Sequence, residues 1–314
     1  MPLSFLKKND VVEIINPASA STFDEIEKIK NFIKKIGLKP NIFFQKELSL
    51  KKAISHEFAS FAAEKRFEQF KKAIESDSKI IWCARGGYGC AEILSFLTQL
   101  EKPKTSKIFI GFSDISSLNK ILIDDWNWQV VSAPMLAQIV LNKVSSKSTS
   151  TITDFIFGKK IELKYQLKPI ISSSKKISAV TTGGCLSVVA GQFGTKNQIN
   201  WQDKILFLED EGEDGERLDR YFYQLVQIIV EQKKYPQAIV LGNFLQGNLH
   251  GTPKAKNINL AIKKLGENLL AQKLKIALYQ EKSKVLGHSK NMLPLVLGAE
   301  AKITADNFLL QKLE

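Results

Sequence analysis

Histidine is scarce in this chain of 314 residues, which holds only His56, His250 and His288. Any imidazole chemistry must come from one of these three. Cysteine is equally rare, and Cys83, Cys90 and Cys185 form an odd set without metal-ligand spacing. That excludes a disulfide framework and points to a reducing compartment. No apolar run approaches the ~20 residues of a membrane span. The apolar start of the chain stops at Lys7, Lys8 and Asp10, too early for a signal peptide. A cytoplasmic protein that does not engage a membrane is expected.

Two phosphate-binding signatures are also missing. Neither Gly-Lys-Ser/Thr after a glycine loop nor G-x-G-x-x-G occurs, so no nucleotide cofactor is expected. Arginine is confined to Arg66, Arg85, Arg217 and Arg220, although the formal net charge is +13. The positive excess is therefore lysine, scattered along helix-like stretches such as Lys28 to Lys35. No basic block interleaves with aromatics, and a nucleic-acid partner is not expected. Such a field can still attract an acidic small substrate.

What the chain does have is a set of apolar strands that run into unusual turns. Lys107 to Ile110 leads into Gly111-Phe112-Ser113-Asp114, and Leu118, Ile121 and Leu122 then share a helical face. Strand, tight turn and helix can lift a serine hydroxyl clear of a sheet edge, where it serves as a nucleophile if a base reaches it. The same residues also read as an ordinary helix N-cap. The usual G-x-S-x-G elbow is incomplete, because Ile115 stands where the second Gly belongs. Ile80 to Cys83 runs into Arg85-Gly86-Gly87-Tyr88-Gly89, with Ile93, Leu94 and Leu97 following. Its glycines permit positive φ and close approach of backbone N–H groups to an anion. A flexible connecting turn is the plainer reading. Lys204 to Leu208 ends in Glu209 and Asp210, with Glu211, Glu213, Asp214 and Glu216 behind them. Acids at a strand's C-terminal end are where open α/β sheets place their chemistry. They also read simply as the start of a polar loop.

Elements alternate through the first half: strand Val11 to Ile15, helix Phe23 to Ile36, strand Asn41 to Phe44, helix from Phe58 to Glu75, the two strand–turn–helix pairs, and strand Gln129 to Ser132. Alternation of this kind indicates a parallel-sheet α/β domain. Ser/Thr/Lys-rich stretches at 144–153 and 172–176 suggest an interdomain connection. The expected organisation is an N-terminal α/β domain over 1–150, a linker over 151–176, and a smaller mixed α/β C-terminal domain over 177–314. In the latter, helices are expected over about Leu218 to Glu231 and Asn257 to Leu269, with a strand over Lys275 to Tyr279.

In order, these motifs resemble the LD-carboxypeptidase family of serine peptidases, which includes the microcin-immunity peptidases. The resemblance rests on Arg85 to Gly89, Gly111 to Asp114, Ser132-Ala133-Pro134-Met135, Gly183-Gly184-Cys185-Leu186, Leu206 to Asp210, Arg217-Leu218-Asp219-Arg220, Gly287-His288 and Pro294 to Gly298. It implies a triad of Ser113 as nucleophile, Glu209 as orienting acid and His288 as general base, in an interdomain cleft. Glu213 is the rival for the acid, and His250 becomes a bystander. The Asp114 amide and the Gly86-Gly87 turn would form the oxyanion hole. Arg85 would bind the substrate's terminal carboxylate or pair with an acid such as Asp114. The implied substrate is a muropeptide tetrapeptide that loses its terminal D-alanine during peptidoglycan recycling. No metal or cofactor is implied, and a homodimer is. The alternatives are an acyl-adenylate peptidase of the microcin type, with Trp82, Trp126, Trp128 or Trp201 stacking on adenine, and a non-catalytic peptide- or sugar-binding protein.

Overall fold

A computed structural model describes residues 4–43, 58–245 and 255–313. His56, His250 and the strand end at Phe44 lie outside the described residues. The chain divides into two compact units: residues 1–161 with 290–298 and 313–314, and residues 162–289 with 299–312.

In the first unit, strands β1 (Val11–Ile15), β2 (Lys39–Ile42), β3 (Ile80–Cys83), β4 (Ile108–Ile110) and β5 (Gln129–Ser132) run parallel, in the order β5-β4-β3-β1-β2. β3, β4 and the C-terminal part of β1 are buried, as strands covered on both faces must be. Helix Phe23–Lys35 begins with a capping box: Thr22 accepts from the Glu25 amide, and Glu25 accepts from the Thr22 amide. Its apolar side, Ile26, Ile29 and Ile33, is fully buried. Helix Ala63–Glu75 likewise buries Phe70, Ala73 and Ile74.

The segment after Ser113 departs from the α-helix read from its periodicity. It is a 3₁₀ turn over Ser113–Leu118 followed by a π-helical turn over Lys120–Asp125. The Trp126 amide reaches back to the Ile121 carbonyl and the Trp128 amide to Leu122. These wide turns put Ile121, Leu122 and Ile123 together into the core, a result that 3.6-residue spacing does not anticipate.

The second unit is a closed seven-stranded barrel in the order β10-β6-β13-β12-β7-β8-β9. Its strands are β6 (Glu162–Ile171), β7 (Ile177–Cys185), β8 (Ile205–Glu211), β9 (Ala238–Leu245), β10 (Ala277–Glu281), β12 (Glu300–Ile303) and β13 (Phe308–Lys312). β7, β8, β9 and β10 are parallel neighbours, whereas β6, β12 and β13 pair antiparallel. Helices Gly215–Gln232 and Ala255–Ala271 cover the parallel part with Leu218, Phe222, Leu225, Ile262, Leu265 and Leu269.

Residues 151–176, where a linker is expected, carry the end of helix Ser146–Ile156 and the whole of β6. The physical reason lies in alternation. Glu162, Lys164 and Gln166 face out while Leu163, Tyr165 and Leu167 face in, a period of two inside a Lys-rich composition. β11 (Leu295–Leu297) returns to the first unit and pairs antiparallel with β5, Leu295 opposite Ser132.

Arg66 ties the first unit's turns together. Fully buried, it donates from Nε to the Phe61 carbonyl at 2.8 Å, from Nη1 to Pro17 at 2.9 Å and Gly89 at 2.6 Å, and from Nη2 to Glu92. Removing it takes a charged donor from three carbonyls, of which Gly89 keeps the Glu92 amide at 3.1 Å, and each such bond is worth about 1.5–3 kcal/mol. Arg66→Ala is therefore expected to lower unfolding free energy in urea by at least about 3 kcal/mol. A loss below about 1 kcal/mol would contradict this account.

Candidate active site

Ser113 occupies the left-handed region, with φ of 64°. A non-glycine residue pays for that conformation and is seldom found there without a reason. No side-chain cap closes the turn it begins, so the capping reading does not hold. Gly111 is required just before it, because a Cβ there would meet Ile115 Cγ2 at 2.7 Å. Ser113 is partly exposed, between the buried Phe112 and Asp114.

The Arg85–Gly89 turn lies against this serine. A Cβ on Gly86 would stand 3.5 Å from Ser113 Cβ, in van der Waals contact, and 2.9 Å from Met135 Cε, which would have to shift. Gly87 has φ of 110°, and a Cβ there would lie 2.1 Å from Ser19 Oγ. Ser19 clasps the turn from the other side: its amide donates to the Gly86 carbonyl at 3.2 Å, and its Oγ accepts from the Tyr88 amide at 3.1 Å. Asp114 turns inward, and its Oδ2 accepts from the Cys90 amide at 2.8 Å. Burial raises the Asp114 pKa, with the Cys90 bond opposing it. The Asp114 side chain thus links the two turns. Arg85 pairs not with Asp114 but with Glu25, its Nη1 lying 3.0 and 3.1 Å from the two carboxylate oxygens. Glu25 therefore caps a helix and holds an arginine at once, and nothing in its local sequence announces the second task.

Glu209 and His288 meet in the second unit. Glu209 Oε2 lies 2.7 Å from His288 Nδ1 and also accepts from the His288 amide at 2.9 Å. Both residues are buried. Gly287 has φ of 93°, and a Cβ on it would sit 2.5 Å from Glu209 Oε2, so only glycine lets the carboxylate in. Two residues that sequence reasoning missed hold the loop. The buried Glu281 carboxylate accepts from the amides of Ser283 at 2.6 Å and Val285 at 2.8 Å. Asn243 donates from Nδ2 to the His288 carbonyl at 2.7 Å, and its own amide donates to the Leu286 carbonyl at 2.7 Å. Glu213, the rival acid, faces Arg217 at 3.6 Å instead.

Electrostatics around the imidazole oppose one another. Burial is the largest effect and works against its charge, but the charge and hydrogen bond of Glu209, then Glu211 and Asp210, outweigh it and raise the pKa to about 9. Asp210, whose Oδ2 accepts from the Ser187 amide at 2.6 Å, is pushed by burial to about 6. Burial likewise raises all three thiols, which suits reduced, unreactive cysteines. Among the described residues no group of three His, Cys, Asp or Glu side chains is arranged to hold a metal. No described helix is long and apolar enough to cross a membrane.

Comparison with known proteins places these features. The LD-carboxypeptidase N-terminal domain model matches residues 12–133, and the C-terminal domain model matches residues 178–303. A Rickettsia conorii protein, whose name assigns it provisionally to the carboxypeptidases, is 32% identical over 244 residues, 76% of this chain and 74% of that one. The murein tetrapeptide carboxypeptidase of Pseudomonas aeruginosa is 27% identical over 247 residues, 74% of this chain and 76% of that one. Among solved structures, a muramoyltetrapeptide carboxypeptidase from Oxalobacter formigenes superposes with a TM-score of 0.75 at 21% identity, over 96% of this chain and 97% of that one. The microcin C7 self-immunity protein MccF gives 0.77 at 15% identity, over 100% and 99%. The two structures share the fold. The chain belongs to the LD-carboxypeptidase family of serine peptidases.

Because His288 binds its proton more tightly folded than unfolded, the pair stabilises the fold fully below about pH 6.5 and loses that contribution as pH rises through about 9. The span corresponds to a loss on the order of 3 kcal/mol. Urea denaturation of the wild type from pH 6 to 10 is expected to show this decline, and Glu209→Gln to flatten it. An equal decline in both proteins would contradict the assignment.

Proposed function

We propose that this protein is a serine carboxypeptidase that removes terminal D-alanine from murein tetrapeptides, at the bond following the L-centre of a diamino acid. The observation that carries the reading is the buried Glu209–His288 contact at 2.7 Å. It fixes the proton on Nδ1 and leaves Nε2 as the basic nitrogen, as a general base requires. Family membership supplies the reaction class, and the name of the Pseudomonas relative supports the substrate.

In the proposed reaction, Ser113 Oγ attacks the peptide carbonyl while His288 Nε2 takes its proton. Glu209 stabilises the resulting imidazolium. The amides of Asp114 and the Gly86–Gly87 turn receive the oxyanion, each worth roughly 3–4 kcal/mol in the transition state. His288 then protonates the leaving amine of D-alanine, and water hydrolyses the acyl-serine by the same route. Arg85, one-third exposed beside the turn, is the candidate for the terminal carboxylate, shared with Glu25. A cytoplasmic location and a homodimer belong to this reading by family resemblance. The acyl-adenylate alternative loses its proposed platform, because Trp82, Trp126, Trp128 and Trp201 are all buried.

Mass spectrometry of muropeptide tetrapeptides incubated with the wild type should show loss of one alanine, and kcat/KM should rise with pH towards about 9 as His288 loses its proton. Ser113→Ala and His288→Ala should each lower kcat by several orders of magnitude without unfolding the chain. The double variant should be little worse, since such groups act as a unit. A well-folded, active Ser113→Ala protein would reject the serine mechanism.

Arg85→Ala provides a separate test of carboxylate recognition. It should narrow the preference for free-acid over C-terminally amidated substrate. Equal losses on both would leave Arg85 as support for Glu25 and its helix.

A further inference from the structure

Glu209 and Glu211 are two residues apart near the end of β8, so their side chains leave the strand on one side. Asp210, between them, points the other way and is taken by the Ser187 amide and hydroxyl, the latter at 3.2 Å. The two glutamates thereby bracket one imidazole. Glu209 holds Nδ1, and Glu211 Oε2 lies 3.6 Å from Nε2. We propose that Glu211 is a positioning residue for the base: its carboxylate binds the imidazolium at Nε2 and sets the pH range over which His288 is free to accept the serine proton.

This inference rests on the reading of His288 as the general base. The separation is too long for a hydrogen bond and within reach of an ion pair. An ionised carboxylate has no proton to offer a neutral Nε2, so the contact is favourable only when that nitrogen is protonated. The resting enzyme is thus held with its base occupied. The imidazolium formed as serine attacks is held by the same contact. Among the described residues, the acids that raise the ring's pKa most are Glu209, then Glu211 and Asp210, all from β8. β9 presents the neutral Asn243 amide, and β7 brings the protonated Cys185 thiol beside Asp210. Glu211 is half exposed, unlike Glu209 at 1%, so its effect is open to salt while that of Glu209 is not.

The whole chain suits an NMR titration, because it holds only three histidines and His288→Ala identifies the signal. In Glu211→Gln the His288 titration midpoint should fall by about one pH unit. The acidic limb of kcat/KM should fall with it, raising activity at pH 7 by up to about tenfold and lowering the alkaline plateau. Glu211→Asp should keep part of the wild-type midpoint, and molar salt should shrink the difference between wild type and Glu211→Gln. An unchanged midpoint in Glu211→Gln overturns the inference. A midpoint that moves while the kinetic limb stays in place overturns the control of the reaction and the assignment of His288 as base, leaving only the contact.

Discussion

The two hydrogen bonds that converge on one oxygen of Glu209 are the constraint from which the second unit's chemistry follows. A buried carboxylate is costly unless it is met by donors and a compensating charge. Here the donors are the amide and the ring of the same residue, so the acid orients the imidazole and anchors its loop in one stroke. That geometry demands glycine at 287, where any side chain would occupy the space of the carboxylate. It also demands a loop that cannot drift, and Glu281 and Asn243 supply this by capturing its amides and carbonyls. Three polar residues, one on each of three strands, therefore serve the placement of a single ring.

The first unit solves a different problem, that of keeping a strained serine turn in place. Positive φ at Ser113 and at Gly87 and Gly89 is affordable because the surroundings leave no alternative. Arg66 gathers the carbonyls of Pro17, Phe61 and Gly89, Asp114 receives the Cys90 amide, and Ser19 clasps Gly86 and Tyr88. A guanidinium suits this work because its five N–H groups fan out in a plane and can meet several acceptors that face different ways. The charge is offset by Glu92 at the surface, so the fully buried cation keeps one partner in contact with water.

Much of the N-terminal sheet was legible because its signals are local. β1 and β5 coincide with the apolar runs Val11 to Ile15 and Gln129 to Ser132, and the first helix is written out by its capping box and its isoleucines. β6 was obscured for the opposite reason: its Lys- and Glu-rich outer face gives the composition of a connection, and only the inward alternation of Leu163, Tyr165 and Leu167 marks a strand. β11 was invisible as a partner of β5, since nothing near residue 295 records which distant edge it will complete.

For the site, the sequence by itself determined the residue types and the turns that carry them: a serine after an apolar strand and a glycine, an acid at a strand end, and one of three histidines after a glycine. Those are properties of a few neighbouring residues and of their allowed backbone angles. Only the tertiary structure decided the partners. Glu209 rather than Glu213 meets His288, Arg85 turns to Glu25 rather than Asp114, and Glu211 rather than Asp210 shares the imidazole's face. Each choice is made between side chains separated by tens of residues, through register, burial and the space a missing Cβ leaves open, and none of these is encoded in any short stretch of chain.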